Sequence, residues 1–221
     1  MKLAIIGIGQ LGSQLFRAAQ GPERLVIDQM PKSLEKVADV AELGTSTQLS
    51  AAAACQVVAA ALPAPFCPDA FQQLCPHLQP GTIVINFATG WLIPDELRKE
   101  FPQLKLVEAK LVGSAVGISE GLKSLFVLGI QDEELCKTIQ SCFPPFRFIM
   151  GDTSIVKHIN TCATATALRA AVQLQRELAE FPQEMINAAT AGLMPGVLIS
   201  YERNTLGEFA RNILEQVQKE S

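Results

Sequence analysis

The sequence has no basic surplus: 18 Lys and Arg stand against 22 Asp and Glu, giving a net charge of −4 and a pI of about 5.3. Without excess positive charge it has little hold on phosphate backbones or anionic lipid, so nucleic acid and membrane surfaces are poor first readings. The six cysteines (Cys55, Cys67, Cys75, Cys136, Cys142 and Cys162) include no C-x-x-C pair, and several lie in apolar segments where cysteine behaves as a small hydrophobe. They read as reduced thiols, which implies a cytoplasmic protein. Cys67, Cys75 and His77 match no zinc spacing and have no second His nearby, so no metal is expected. No apolar run is long enough to span a bilayer, because the longest block, 51–66, is interrupted by Gln56, Pro63 and Pro65. The start MKLAIIGIGQLG does not read as a signal peptide, since glycines break its apolar run. Neither an internal repeat nor a low-complexity tract occurs. At 48% hydrophobic and 18% charged, the 221 residues suit a globular protein with a substantial core.

What is present is an alternation. Short apolar runs near 2–7, 24–28, 56–62, 81–87, 104–109 and 124–128, with a candidate seventh at 146–150, read as strands. Helical patterns fall between them, near 10–20, 32–42, 47–54, 67–75, 94–100 and 132–141. Runs such as LAIIG, RLVID, QVVAAAL and GTIVINF suit strands buried on both faces, so the alternation predicts an α/β doubly wound parallel sheet. After Gly151 the pattern changes. SIVKHINTCATATALRAAVQLQRELAE contains neither Pro nor Gly and is rich in alanine, which predicts one long helix from about 154 to 180. Pro182, Gly192, Pro195-Gly196 and Asn204 then break the tail into shorter helices.

Gly7, Gly9 and Gly12 follow the first strand and open the first helix in the order G-x-G-x-x-G. In that setting glycine allows a tight turn, close backbone approach to a pyrophosphate and close helix packing, while the helix amino terminus offers free amides. Asp28 ends the next strand, where a carboxylate accepts hydrogen bonds from the adenosine ribose hydroxyls. A ligand-free glycine turn is the bland alternative; the combination with Asp28 weighs against it. The candidate cofactor-binding residues are Gly7, Ile8, Gly9, Gln10, Leu11, Gly12 and Asp28, and the cofactor is NAD or NADP. Asp28 repels a ribose phosphate and Gln29-Met30-Pro31 offers no Arg, which favours NAD, while Lys32 and Ser33 keep NADP open.

These motifs and several others resemble the β-hydroxyacid dehydrogenase group, which includes 3-hydroxyisobutyrate dehydrogenases and the 6-phosphogluconate dehydrogenase type, and more distantly the pyrroline-5-carboxylate reductases. IIGIGQLGSQL is similar to the family's nucleotide fingerprint and VIDQMPKSLEKV to its strand-end Asp and following turn. ALPAPF, with Leu62 and Pro63, resembles the leucine-proline loop that lies along the cofactor. EAKLVGSAVGISEGLKSLFVLG, with Gly113 and Ser114, resembles the substrate loop. GDTSIVKHIN resembles the segment whose Lys acts in acid/base catalysis and whose Asn helps hold substrate, here Lys157 and Asn160. The resemblance implies a Rossmann-type NAD(P)-binding domain over 1–150. A short helical domain over 151–221 would serve dimerisation and part of the substrate site.

Physical chemistry is consistent with those roles. Lys157 and Asn160 are three apart on a helix and share a face with Thr161 and Thr164. A lysine ammonium can protonate a carbonyl oxygen as hydride arrives, with desolvation tuning it, and an asparagine can both donate and accept. Glycines around 113 let backbone amides approach a substrate carboxylate. The expected reaction is hydride transfer between a nicotinamide and a small carboxylate-bearing hydroxy or carbonyl substrate. An imine reductase of the pyrroline-5-carboxylate type, or a non-catalytic NAD(P)-binding regulatory module, are the alternatives. Departures from the family pattern include Thr153 where a glycine is usual, and Glu108-Ala109-Lys110-Leu111 where the substrate loop opens with Asp-Ala-Pro-Val. Lys110 reads as an added positive charge near the cleft or on the surface. ATGWLIPDEL at 88–97 resembles the reductases' turn as much as the dehydrogenases', so Thr89 has two readings, and Trp91 is expected to pack beneath it. His158 points away from Lys157. The alanine and threonine face of CATATALRAAV permits close helix contact, which implies a homodimer.

Overall fold

The computed structural model describes residues 1–35 and 37–220, the last by its backbone alone. The chain begins with a strand-helix-strand crossover, β1 (Lys2–Ile6), α1 (Gln10–Ala18) and β2 (Glu23–Ile27). A four-residue helix α2 (Pro31–Leu34) and a two-residue strand β3 (Thr45–Ser46) follow. A 3-10 segment over Leu49–Ala54 leads into β4 (Val57–Ala60), α3 (Cys67–Leu74), β5 (Ile83–Asn86), α4 (Asp95–Glu100) and β6 (Lys105–Val112). The remainder of the sheet is built by α5 (Ala115–Ser119), β7 (Leu125–Leu128), α6 (Glu133–Cys142) and β8 (Arg147–Met150). Eight strands lie in the order β3-β2-β1-β4-β5-β6-β7-β8.

Pairing is parallel from β3 through β6, as the continuous apolar runs require. The expected doubly wound parallel sheet is present, with one reversal at its far side: β7 runs antiparallel to β6, and β8 is then parallel to β7. The cause is the link: residues 113–124 carry one short helix and bring the chain back beside the strand it left.

Alternate residues of each strand serve opposite faces. Leu3, Ile5, Val26, Val57, Ala59, Ile85 and Val107 face one core with Leu15 and Phe16 of α1 and Ile139 of α6. Ala4, Ile6, Leu25, Ile27, Val58, Ala60 and Val84 face the other with Phe71 and Leu74 of α3 and Leu97 of α4. Two apolar faces per strand explain why the runs show no polar alternation.

The helix expected over 32–42 is cut short. Within that span Lys36 lies outside the described residues, and 37–40 run as turns. Tertiary contacts override helix propensity here: Glu42 accepts from the Arg24 amide at 3.0 Å and from its Nε at 2.9 Å, and the Leu43 amide donates to the Arg24 carbonyl at 2.9 Å. Glu42 is held down to about 2 by that guanidinium hydrogen bond.

The long helix is present as α7 (Ser154–Glu177). The tail continues as α8 (Gln183–Ala188), a π-helical turn over Ala189–Leu193, α9 (Met194–Glu202) and α10 (Glu208–Glu220). Gly192 and Pro195 do not break this stretch as expected. The hydrogen-bond ladder widens by one residue ahead of the proline, which then sits in the first turn of α9. Asn204 does act as a stop, in the left-handed region at φ 57.

The chain divides into two compact units, Met1–Asn160 and Thr161–Ser221, with the division falling inside α7. Among the described residues of the second unit, Ile186 alone is buried. No helix of the described residues is long and apolar enough to cross a membrane.

Candidate cofactor cleft

At the carboxyl end of β1 the backbone turns at Gly7, whose φ of +84° is costly for any other residue. A Cβ there would also lie 2.7 Å from the Ala61 carbonyl oxygen, and a Cβ on Gly12 would run into the carbonyl oxygen of Gly7. Gly9 differs: a Cβ there would meet nothing, because the residue faces open space at the mouth of α1. Two glycines are thus dictated by packing and the third keeps a ligand's approach clear. Gly9 is the helix N-cap without a side-chain acceptor, so the first-turn amides are left for an incoming anion.

Asp28 sits just beyond β2 and joins this turn. Its Oδ2 accepts from the Ile8 amide at 2.8 Å and its Oδ1 from the Met30 amide at 2.8 Å. Each carboxylate oxygen keeps a further lone pair, so the group can hold the loop and still receive a hydroxyl.

The turn opens on a cleft of about 870 Å³, within the range of small-molecule sites. Of the sequence-predicted residues, Gly7, Gly9, Gln10, Leu11, Asp28, Leu62 and Pro63 line it. Ile8 and Gly12 act from behind, through the Asp28 hydrogen bond and the contact with Gly7. The Leu62-Pro63 loop is fixed from below, where the Cys67 thiol approaches the Leu62 and Pro63 carbonyls at 3.8 and 3.6 Å. Burial pushes the Cys67 and Cys75 thiols up to about 11, which makes both inert near neutral pH. Ala88 and Thr89 line the far end.

The substrate-loop candidates form a separate cluster. Asn160 Nδ2 donates to the Leu111 carbonyl at 2.8 Å and its Oδ1 accepts from the Gly113 amide at 3.4 Å, so Asn160 clamps the end of β6. Gly113 is in the positive-φ region at 134°. Ser114 caps α5, its Oγ accepting from the Gly117 amide at 3.0 Å. Lys157 is exposed on the first turns of α7, as is His158. Gly113, Ser114, Lys157 and Asn160 all lie outside the lining of the cleft.

Lys110 is where the structure departs furthest from the sequence reading. It is neither at the surface nor exposed to the cleft but 1% accessible, with Nζ 2.6 Å from Glu108 Oε2. Burial pulls its ammonium down from the ordinary range while the Glu108 carboxylate opposes the shift. Asn86 Nδ2 donates to the same Glu108 oxygen at 2.8 Å. The signal was present: KLVEAKLV places two opposite charges at i and i+2 in a strand that otherwise reads as buried. Trp91 packs as expected, its ring 4.9 Å from that of Phe71.

Residues 2–90 match the family model described as NADP oxidoreductase coenzyme F420-dependent. Among solved structures, a pyrroline-5-carboxylate reductase from Coxiella burnetii superposes with a TM-score of 0.71 at 14% identity, covering 98% of this chain and 84% of that one. A 3-hydroxyisobutyrate dehydrogenase from Mycobacterium tuberculosis gives 0.58 at 16% identity, over 93% and 67%. An imine reductase from Myxococcus stipitatus in complex with NADP+ gives 0.58 at 15%, over 92% and 78%, and a variant of it is solved with NAD+. The fold is the one these oxidoreductases share. The family model and the solved structures point to the same group of oxidoreductases that the motifs resemble. A search of curated protein sequences gives no match.

Proposed function

We propose that the chain is an NAD(P)-dependent oxidoreductase that transfers hydride between the nicotinamide and a small carboxylate-bearing carbonyl or hydroxy substrate. The observation that carries this reading is the glycine turn tied to Asp28 at the mouth of α1, opening on an 870 Å³ cleft. The bound dinucleotide would supply and receive the hydride. First-turn amides of α1 hold its pyrophosphate, Gly9 leaves room for it, and Asp28 accepts from the adenosine ribose. The same carboxylate repels a 2′-phosphate, which supports NAD over NADP. Lys157 Nζ donates a proton to the carbonyl oxygen during reduction and takes it back from the hydroxyl in reverse. Asn160, with Gly113 and Ser114, shapes the loop that faces the substrate carboxylate.

A second reading is favoured by the exposure of Lys157 and by the 88–97 turn. In an imine reductase the substrate already carries positive charge, so no lysine acid is needed. A regulatory module that binds the dinucleotide without chemistry is the third. The alanine- and threonine-rich face of α7 supports a homodimer of a cytoplasmic protein.

Calorimetry with NAD+, NADH, NADP+ and NADPH tests the cofactor; no heat at millimolar ligand overturns the reading. Lys157→Ala is expected to lower turnover of hydroxy acids by about 100-fold or more with cofactor affinity unchanged. Unchanged turnover on cyclic imines assigns the chain to the second reading, and tight binding without turnover on any substrate to the third.

A further inference from the structure

Three buried polar side chains lie directly beneath the far end of the cleft. Asn86 ends β5, and Glu108 and Lys110 stand two apart on β6; their exposures are 0%, 5% and 1%. Their partners are backbone groups of one turn. Lys110 Nζ donates to the Ala88 carbonyl and, at 3.0 Å, to the Trp91 carbonyl. Asn86 Nδ2 also donates to the Trp91 carbonyl at 3.0 Å, and Asn86 Oδ1 accepts from the Ala88 amide at 3.0 Å. Glu108 Oε1 accepts from the Ile93 amide. The segment 88–93 is therefore gripped from below at both ends, while Ala88 and Thr89 present their upper side to the cleft.

Packing alone does not explain a lysine here, because a methionine would fill the same sheet position. Two inward-facing carbonyls would lose a buried partner without a donor of several hydrogens, and an ammonium supplies three. Glu108 balances the charge of Lys110, and its other oxygen lies 3.8 Å from the half-exposed Arg98 guanidinium.

The direction of a bound dinucleotide follows from strand order. Its adenosine ribose is placed at Asp28 beyond β2 and its pyrophosphate at α1 beyond β1. The rest of the molecule must then cross the ends of β4 and β5, and the turn met there is 88–91. We propose that Lys110 is a positioning residue which sets the 88–91 turn as the rest for the nicotinamide of the cofactor. This rests on the cofactor reading of the cleft.

The test compares ADP-ribose, which carries both riboses but lacks the nicotinamide, with intact NAD(H) or NADP(H). Lys110→Met alone would strand a buried carboxylate, so the variant is Glu108→Gln with Lys110→Met, which removes both charges together. Calorimetry is expected to show ADP-ribose affinity within about twofold of the parent, while the additional affinity for the dinucleotide falls about tenfold. An equal loss for both ligands, as a general weakening of the fold would give, overturns the inference, and so does an unchanged difference between them. In the parent, amide hydrogen exchange across 88–93 reads the same contact without depending on the variant's folding. The dinucleotide slows exchange there and ADP-ribose does not; equal slowing overturns the inference. A parent that binds ADP-ribose with no gain for the dinucleotide defeats this proposal alone, whereas one that binds neither defeats the cofactor reading and this proposal with it.

Discussion

The two units of this chain treat apolar surface in opposite ways. Residues 1–160 bury nearly every apolar side chain their strands carry, with Leu3, Ala4, Ile5, Val57, Val58 and Val84 all at 0% exposure. In 161–221 Leu168, Leu193, Leu198 and Phe209 are 62, 67, 61 and 80% exposed, and Ile186 is the one buried residue among those described. A doubly wound sheet has helices for both faces and closes within one chain. Helices this apolar, arranged around one buried residue, have far more surface to cover than a monomer ordinarily shows. The difference teaches that the sheet-bearing half buries its own core, and it supports the proposal that the helical half is completed by a second copy.

Breaking the second half should have the largest effect. Leu193→Asp with Leu198→Asp puts four charges into a two-fold interface, and the dimer dissociation constant is expected to rise at least about 100-fold. Sedimentation equilibrium measures it, and the thermal transition of the 1–160 unit should stay where it was. A parent that sediments as a monomer at micromolar concentration removes the contrast altogether. Breaking the first half works through packing. Gly12→Ala drives a Cβ into the Gly7 carbonyl and is expected to cost about 1–3 kcal/mol in thermal unfolding, with cofactor binding lost as the turn shifts.

The smallest effect sharpens the account of the first half. The Glu42 carboxyl drops from 4.5 in the unfolded reference to about 2 beside Arg24, so the pair stabilises the fold above pH 4.5 and that contribution fades as pH falls towards 2. Glu42 is 46% exposed at its side chain, so solvent screening holds the contribution to about 0.5 kcal/mol. Glu42→Gln should lower stability at neutral pH by about that amount and leave stability at pH 2 almost unchanged, so the acid limb of a stability-versus-pH curve is flatter.

The parts of the fold legible in sequence were those with a local cause. Strands buried on both faces advertise themselves as unbroken apolar runs, and the glycine turn declares itself because backbone geometry at Gly7 and close packing at Gly12 demand glycine. What escaped depends on residues far apart in the chain. The reversal of β7 is set by where residues 113–124 return, and the early end of α2 by the hold of Arg24 on residues 42 and 43. Lys110 was legible as an anomaly, an ammonium in an apolar strand, but its partners 19 to 24 residues earlier were not. The glycine turn could be read because its residues are contiguous in sequence. The clamp of Asn160 on the end of β6 could not, because it reaches Leu111 across 49 positions.

The double engagement of Asp28 bears on how easily this protein could change its coenzyme. The carboxylate proposed to discriminate between the two nicotinamide nucleotides also tethers the Ile8 amide. An exchange to a basic residue, the obvious route to accepting the phosphorylated form, would abolish the tether in the same step. On that proposal, retargeting would take at least two coordinated changes, one to welcome the extra phosphate and one to re-anchor the loop.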